Sequence, residues 1–319
     1  MSDATAPASR RRRMLVVALQ ALVAVALVVA LWRLVDGPET GRLLRSARWD
    51  FIALCAAALT AHTLLAALRW RRVARGLGIA IPVQEAVGEY YLSQLVNAVV
   101  PGGVVGDAGR AVRSRRPAGL GAAGLAVVLE RLAGQYALLI VMGIAVASTI
   151  VLPGGVDWPS AAVPLLVVLI AGALGLPALI AGATLLPGRL GARAQDLTAA
   201  IRSAVVDRGA LASVAGLSLG TTLCILVAFA SAAAAVGAPL SLGGIVAVVP
   251  VVLLAMLIPI TVGGWGVREG AAVALLPLAG VSASGALAAS ILFGLVALAA
   301  TMPGIVPLWG RRAARMHRT

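Results

Sequence analysis

Residues 209–267 read GALASVAGLSLGTTLCILVAFASAAAAVGAPLSLGGIVAVVPVVLLAMLIPITVGGWGV, and none of them carries a charge. A helix needs about 20 mostly apolar residues to cross a bilayer, so this run is too long for one span and must turn back. The rest of the chain has the same character, since 61% of its 319 residues are hydrophobic and only 12% are charged. Soluble domains are about half apolar and about a quarter charged. The composition therefore predicts an all-α polytopic integral membrane protein, and it excludes a water-soluble enzyme and a disordered chain.

The basic residues are all arginines, and their positions predict the topology. The 26 arginines outnumber the 12 acidic residues and give a net charge of +14. Most lie in clusters between apolar stretches, at positions 10–13, 69–75, 110–116, 189–208 and 311–318. Such clusters stay on the cytoplasmic side of a membrane. We therefore predict cytoplasmic tails at 1–13 and 311–319 around one transmembrane domain at 14–310, with no nucleic acid as a partner. The 189–208 cluster fits an interfacial helix or a solvated linker.

The apolar stretches predict about six full spans and two further segments. The spans are predicted at 14–32, 51–68, 120–152, 158–188, 210–236 and 283–309. Residues 76–117 and 237–282 must then each begin and end on one side of the membrane. The first segment enters from the cytoplasm and the second from outside. This predicts two re-entrant or broken-helix hairpins, and seven to eight hydrophobic helices in all.

The two hairpin segments share a sequence pattern. One contains PGGVVGDAGR from Pro101 to Arg110, and the other contains PITVGGWGVRE from Pro259 to Glu269. In both, Pro is followed by Gly at the fifth position and by Arg at the ninth, 158 residues apart. Matching segments that enter from opposite faces are typical of inverted-topology repeats, whose broken helices line the substrate site. The predicted repeat halves are about 51–152 and 210–309. The predicted lining residues are Pro101, Gly102, Gly103, Gly106, Pro259, Gly263, Gly264 and Gly266.

Several charged residues lie where charge is expensive. A charge at the bilayer centre costs about 2.5–3.5 kcal/mol on insertion scales, so intramembrane charges mark candidate sites. Arginine also suits bidentate recognition of phosphate, and two repeat-related arginines would suit an anionic headgroup. The candidate substrate-binding residues are Asn97, Asp107, Arg110, Glu130, Arg131, Arg268 and Glu269.

Structural interpretations of these residues stay open beside the functional one. Glu130 and Arg131 fit a buried pair that locks helices together equally well. Arg110 also fits cytoplasmic anchoring. Anchoring explains Arg268 and Glu269 less well, because they are the only charged residues between positions 209 and 310. The shared spacing of the two motifs could also be chance in a chain with 36 Gly and 16 Pro residues.

Catalytic motifs are scarce. The only histidines are His62, which fits a packed polar residue, and His317 in the predicted tail. Cys55 and Cys224 lie in apolar stretches without metal-ligand spacing. The sequence has no nucleophile elbow, Walker loop or dinucleotide fingerprint. We therefore expect no catalytic residue, no metal and no cofactor.

The motifs together resemble a known family, the lysylphosphatidylglycerol synthase transmembrane-region or flippase-like family, over about residues 12–310. The resemblance implies a multi-pass protein of the bacterial inner membrane. In multiple peptide resistance factors, a similar domain moves aminoacylated phosphatidylglycerol between leaflets and is fused to a soluble aminoacyl-transferase domain, which this chain lacks. One departure is Glu130, where many members have Asp. The residues that carry the resemblance are Arg69-Trp70, Gly76-Leu77-Gly78, Asn97, Pro101-Gly102-Gly103, Gly106-Asp107, Arg110, Glu130-Arg131, Pro259, and Gly263 to Glu269.

The leading hypothesis is a flippase for an anionic or amino-modified phospholipid or glycolipid, and not an enzyme. Membrane lipids would be its partners, with a lipid-modifying enzyme or glycosyltransferase as a further candidate. The first alternative is a membrane-embedded transferase or accessory subunit that acts on polyprenyl phosphates or glycolipids, with Asp107 or Glu130 as its acid/base group. The second alternative is an assembly partner that transports nothing. The sequence leaves the lipid and the oligomeric state open.

Overall fold

The computed structural model describes residues 6–100, 103–115, 118–151, 162–207, 209–257 and 261–307. Within these ranges the chain forms helices and no strands, which confirms the prediction of an all-α protein. The α-helices are α1 (Ala6–Leu34), α2 (Gly37–Arg45), α3 (Trp49–Gly76), α4 (Val83–Val99), α5 (Val105–Arg113), α6 (Gly119–Val151), α7 (Ala162–Ala183), α8 (Arg189–Ile201), α9 (Ala210–Ala235), α10 (Val249–Leu254), α11 (Val267–Leu275) and α12 (Ala283–Ala300).

Four stretches among the described residues are long and apolar enough to cross a membrane. They are Trp49–Gly76, Gly119–Ser148, Ala210–Ala235 and Ala283–Ile305. A fifth results if Ala18–Leu34 and Gly37–Arg45 are counted as one span that bends by 102°. The chain is thus a multi-pass membrane protein. Six full spans with two hairpins is a finer count that stays a prediction.

The two predicted hairpin segments are each built from short helical pieces. The first holds the 17-residue α4 and the 9-residue α5. The second runs through a π-helical turn at Gly244–Val248 into α10, which has Pro250 in its first turn, and then into α11. Proline lacks the N–H that a continuing helix needs, and π-helical turns interrupt the regular ladder. Neither segment therefore forms one long straight helix in its described part.

The described chain divides into two compact units. Unit 1 comprises Met1–Leu59, Tyr91–Asp107 and Leu226–Thr319, and unit 2 comprises Thr60–Tyr90 and Ala108–Ile225. Helices α3, α4, α5 and α9 each contribute residues to both units. The units therefore follow a different division from the predicted repeat halves, and the repeat stays a prediction.

The core of unit 2 forms around Trp70 near the end of α3. Buried apolar side chains from α3, from the turn after it and from α6 form one cluster with Trp70, among them Val73, Ile79, Val127 and Leu129. The turn itself brings Gly76 close to the π-helical segment Arg202–Val206, where Ser203 donates to the Gly76 carbonyl at 3.0 Å. These contacts fix the end of α3, which carries part of the site described below.

The core of unit 1 forms around α12. The span at Ala283–Ile305 is 61% buried, against 28–33% for the other three spans. Helices α2 and α11 pack on α12, and Phe293 of α12 meets Phe229 with ring centroids 5.2 Å apart. The helix begins at Ser282, whose hydroxyl accepts from the Gly285 N–H at 3.1 Å and so caps the first turn. Because most of α12 meets protein, it is the central element of unit 1.

Other helices keep large apolar faces exposed. On α1 the exposed residues Leu19, Leu22 and Val25 recur at helical spacing, and on α6 Ile140 and Ile144 do the same. In water such continuous apolar faces would drive association. In a bilayer they are the surface that meets lipid tails.

Candidate functional site

A buried carboxylate on α6 is the centre of the main polar cluster in unit 2. Glu130 Oε1 accepts from Arg69 Nη2 at 2.7 Å, from Arg69 Nε at 3.2 Å and from the Tyr90 hydroxyl at 3.1 Å. Its other oxygen, Oε2, lies 3.3 Å from Arg110 Nη2. We call Arg69, Trp70, Tyr90, Arg110 and Glu130 the Glu130 cluster. Two guanidinium groups from α3 and α5 thus meet one carboxylate from α6.

Arg69 is held on its other side by α9. Its Nη1 donates to Thr221 Oγ1 at 2.7 Å and lies 3.3 Å from Ser218 Oγ. The Thr221 hydroxyl in turn donates to the Ser218 carbonyl at 2.8 Å. The guanidinium plane is thereby fixed by partners on two helices, which gives its terminal nitrogens defined directions.

Arg110 lies between two aromatic rings. Its Cζ is 4.6 Å from the Trp70 ring centroid and 4.5 Å from the Tyr90 ring centroid, distances typical of cation–π contacts. The residue follows the first Pro/Gly motif and is only 1% exposed. The two aromatic faces stabilise the Arg110 guanidinium in the buried cluster.

The Glu130 cluster concentrates buried charge beside a buried donor. Arg69 and Arg110 are 4% and 1% exposed, and Glu130 is 0% exposed. The nearby Glu89 lies 2.5 Å from Arg113, measured between Oε2 and Nε. The indole N–H of Trp70 is also buried and has no acceptor in the part of the chain that the structure describes. Buried guanidinium groups beside such a donor can bind an anionic group.

The neighbouring Arg131 has a different environment. It is half-buried, whereas Glu130 is fully buried, and adjacent helix positions point in different directions. The ion-pair partners that the structure gives Glu130 are Arg69 and Arg110. The carboxylate therefore joins three helices, beyond the adjacent pair that the sequence suggested.

A second charged cluster lies in unit 1 and is balanced. Arg268 and Glu269, adjacent on α11, form an ion pair through Nη2 and Oε1. Ser290 of α12 accepts from Arg268 Nε at 3.0 Å and donates to Glu269 Oε1 at 3.2 Å. The Arg268 guanidinium also lies 5.0 Å from the ring centroid of Trp265 and 5.4 Å from that of Phe293. One positive and one negative charge cancel here.

Glu269 also holds the second Pro/Gly motif. Its Oε2 accepts from the Gly266 N–H at 2.6 Å, directly before α11 begins. A carboxylate at a helix N-terminus is stabilised by the free N–H groups and the helix dipole. Gly266 has φ +85°, and a Cβ there would lie 2.7 Å from Leu27 Cβ on α1. Glycine is required at this position by both its backbone and the close approach of α1.

Polar side chains close the first Pro/Gly motif in a similar way, within unit 1. Asp107 accepts from the Ser93 hydroxyl at 2.8 Å and from Asn97 Nδ2 at 3.1 Å. Asn97 Oδ1 accepts from the Gly106 N–H at 2.7 Å. A Cβ on Gly106 would overlap the carbonyl group of Ser93, which explains the glycine. These bonds tie the end of α4 to the start of α5.

The second motif approaches the end of α4, which precedes the first motif, in unit 1. A Cβ built on Gly263, which has φ +59°, would lie 3.1 Å from the carbonyl oxygen of Ala98 at the end of α4. Of the predicted residues, unit 1 brings together Asn97, Gly103, Gly106, Asp107, Gly263, Gly264, Gly266, Arg268 and Glu269. Unit 2 holds Arg110, Glu130 and Arg131. Pro101, Gly102 and Pro259 lie outside the described residues.

From the sequence, Arg69 was assigned to a cytoplasmic cluster, and Trp70, Tyr90, Ser218 and Thr221 were not selected as site residues. The position of Arg69 along α3 is a signal that could have identified it. Arg69 precedes the end of α3 at Gly76 by two turns, or about 10 Å at 1.5 Å per residue. Its depth in the helix therefore separates it from the arginines that follow it.

The remaining polar candidate, His62, contacts the backbone of α9. Its Nδ1 lies 3.0 Å from the Thr221 carbonyl oxygen. Among the residues that the structure describes, no group of three or more His, Cys, Asp and Glu side chains is placed to hold a metal ion.

The comparisons with known proteins address the family. The chain matches the family described as lysylphosphatidylglycerol synthase TM region over residues 17–304. No curated protein and no solved structure matches the chain. The match covers nearly the whole sequence, including both Pro/Gly motifs and both charged clusters, and it confirms the resemblance drawn from those residues. The chain belongs to the lysylphosphatidylglycerol synthase transmembrane-region family.

Proposed function

We propose that this protein moves a lipid with an anionic headgroup between the two leaflets of a bacterial inner membrane, and that the Glu130 cluster binds the headgroup. The observation that carries the proposal is a buried donor without an acceptor in the described chain, beside two buried guanidinium groups. Two buried guanidinium groups share one carboxylate, and the buried Trp70 N–H lacks an acceptor among the described residues. An anionic headgroup would supply both a negative charge and an acceptor.

The balanced cluster in unit 1 provides an internal comparison. Burying charge is costly unless it is paired and hydrogen-bonded, and Arg268 with Glu269 meets that condition. In the Glu130 cluster, the buried Trp70 N–H has no acceptor in the part of the chain that the structure describes. This donor is better explained by a ligand than by packing. We assign Arg268 and Glu269 to holding the second motif.

The depth of the cluster suits a headgroup in transit. Glu130 is eleven residues after the start of α6 at Gly119, roughly 16 Å along the helix axis. The hydrocarbon core is about 30 Å thick, so Glu130 would be close to the bilayer centre. The charge of a headgroup needs a counter-charge most at that depth.

The local contacts also support, without testing, an inverted repeat. Arg110 reaches Glu130, 20 residues later on α6, and Arg268 reaches Ser290, 22 residues later on α12. In each case an arginine after a Pro/Gly motif reaches a polar side chain on the next long helix. We propose that the two motifs are the broken segments of such a repeat, with both termini in the cytoplasm.

The contacts of the carboxylates favour transport over catalysis. An embedded transferase needs an acid/base carboxylate that can exchange a proton. Asp107 accepts from Ser93 and Asn97, and Glu130 accepts from two arginines and Tyr90. Both carboxylates are thus engaged by donors of the protein itself. We therefore propose a transporter with membrane lipids as its partners and without an enzymatic step.

A reconstituted assay tests the proposal. Purified protein is placed in vesicles with fluorescent phosphatidylglycerol or phosphatidylcholine, and a membrane-impermeant quencher reports movement of the label between leaflets. We expect faster movement of phosphatidylglycerol than in protein-free vesicles, and loss of that gain with Arg110→Gln. The exposed Arg42, which pairs with Glu39 on α2, provides the control variant Arg42→Gln. Unchanged phosphatidylglycerol movement with Arg110→Gln would overturn the proposal.

A further inference from the structure

A glycine lies one helical turn after Glu130, directly under Arg69. A Cβ built on Gly134 would be 2.7 Å from Arg69 Nη2 and 3.1 Å from both Cζ and Nη1. All three atoms belong to the guanidinium group that binds Glu130, Ser218 and Thr221. A side chain at position 134 would therefore displace the guanidinium from these partners.

The same arrangement occurs in unit 1. Gly294 lies four residues after Ser290 on α12, and a Cβ there would overlap Arg268 Nη2 and lie 3.0 Å from its Cζ. In both units a long helix presents a polar acceptor and, one turn later, a glycine that leaves room for an arginine head. The acceptor is Glu130 in one unit and Ser290 in the other.

Two other glycines of α6 lack this relationship. A Cβ on Gly121 or Gly124 would meet nothing within 4 Å. Glycine inside a helix is less favourable than alanine, so a glycine at position 134 lowers the intrinsic stability of the helix. At this position the absence of a side chain leaves the space that the Arg69 guanidinium occupies.

We propose that Gly134 is a positioning residue, which sets the place of the Arg69 guanidinium against Glu130 and so the geometry of the anion site. Its effect on Arg69 follows from the contacts alone, whereas its effect on lipid movement rests on the proposed function. Because the overlap involves the end of a flexible side chain, Arg69 shifts in the alanine variant and the helix backbone stays in place.

The first test is the lipid movement assay with Gly134→Ala and the matched control Gly124→Ala. Loss of one charge-assisted hydrogen bond corresponds to about a tenfold change or more. We expect the mole fraction of phosphatidylglycerol that half-saturates transport to rise by about tenfold with Gly134→Ala. Gly124→Ala should leave it unchanged. Equal behaviour of the two variants would overturn the proposal.

The second test is a thermal stability cycle in detergent that combines Gly134→Ala with Arg69→Met, whose side chain lacks the overlapping atoms. Gly134→Ala should lower the melting temperature in the parent chain and leave it equal or higher in the Arg69→Met background. If Gly134→Ala does not fold in the parent chain, the double variant should still fold. Equal destabilisation in both backgrounds would overturn the proposal. Coupling in this cycle without lipid movement by the parent protein would refute the proposed function and retain the positioning role.

Discussion

Arg69 and Glu130, 61 residues apart, face each other with 2.7 Å between Nη2 and Oε1, and both side chains are buried. The carboxylate is shared with Arg110, 3.3 Å away. One acidic side chain therefore compensates two cations that would otherwise repel each other inside a membrane protein.

Replacing Glu130 by Gln should be strongly destabilising. The change removes the carboxylate that both buried guanidinium groups share, and loss of one partner from a buried ion pair costs about 3–5 kcal/mol. Thermal unfolding in detergent measures the loss. The exposed Glu39, which pairs with Arg42 on α2, gives the control Glu39→Gln, for which we expect little change in melting temperature because exposed ion pairs contribute little. Similar melting temperatures for the two variants would contradict the geometry of the cluster.

Some of these features could be predicted from the sequence, and others could not. The all-α membrane fold could be predicted from the chain, and Glu130 and Arg110 could be selected as candidates, because apolar composition and charge inside apolar stretches are local signals. Arg69 could not be separated from its neighbours by charge clustering, since clustering ignores depth along a helix. The partners of Glu130 were also out of reach, because pairing across 61 residues depends on tertiary packing.

Trp70→Phe should weaken headgroup binding with little loss of stability. The variant retains an aromatic face for Arg110, whose Cζ lies 4.6 Å from the indole centroid, and removes the buried N–H that lacks an acceptor in the described chain. If the headgroup is the missing acceptor, we expect about 1 kcal/mol weaker binding, measured as a higher half-saturating fraction of phosphatidylglycerol. An unaltered saturation curve would show that the indole N–H takes no part.

The contribution of the Arg268–Glu269 ion pair to stability can be tested by removing one charge or both. Arg268→Ala leaves Glu269 buried without its ion-pair partner and should destabilise the protein by about 3–5 kcal/mol. The double variant Arg268→Met with Glu269→Gln removes both charges and should regain most of that stability. The melting temperatures of the parent protein, of Arg268→Ala and of the double variant in detergent measure these differences in stability. A double variant no more stable than Arg268→Ala would mean that the ionic pair itself is needed.

Gly266→Ala should be destabilising for two independent reasons. The residue has φ +85°, which costs a non-glycine residue about 1–2 kcal/mol, and its Cβ would lie 2.7 Å from Leu27 Cβ. Gly216 in α9 has open space around it, and Gly216→Ala should be neutral or stabilising because alanine favours helix. Thermal unfolding compares the two. A Gly266→Ala protein as stable as the parent would show that α1 can move aside.

The count of spans depends on how interrupted apolar segments are treated. Apolar stretches and arginine clusters predict six full spans, which stays a prediction, and four or five stretches of the described chain meet the requirements of length and composition. The short helices α4, α5, α10 and α11 depend on where Gly and Pro interrupt the backbone. Whether such pieces cross the bilayer depends on their neighbours as well as on their own hydropathy.

The division of the chain into units has a consequence for biogenesis. All residues of unit 2 have been synthesised once Ile225 leaves the ribosome, whereas unit 1 needs Leu226–Thr319 to join Met1–Leu59 and Tyr91–Asp107. Folding domains tend to form as their residues emerge. The early segments of unit 1 must therefore wait in the membrane without α12, their most buried partner. Quality-control proteases would meet their exposed α2 and α1 surfaces first in any nascent chain that stalls before α12.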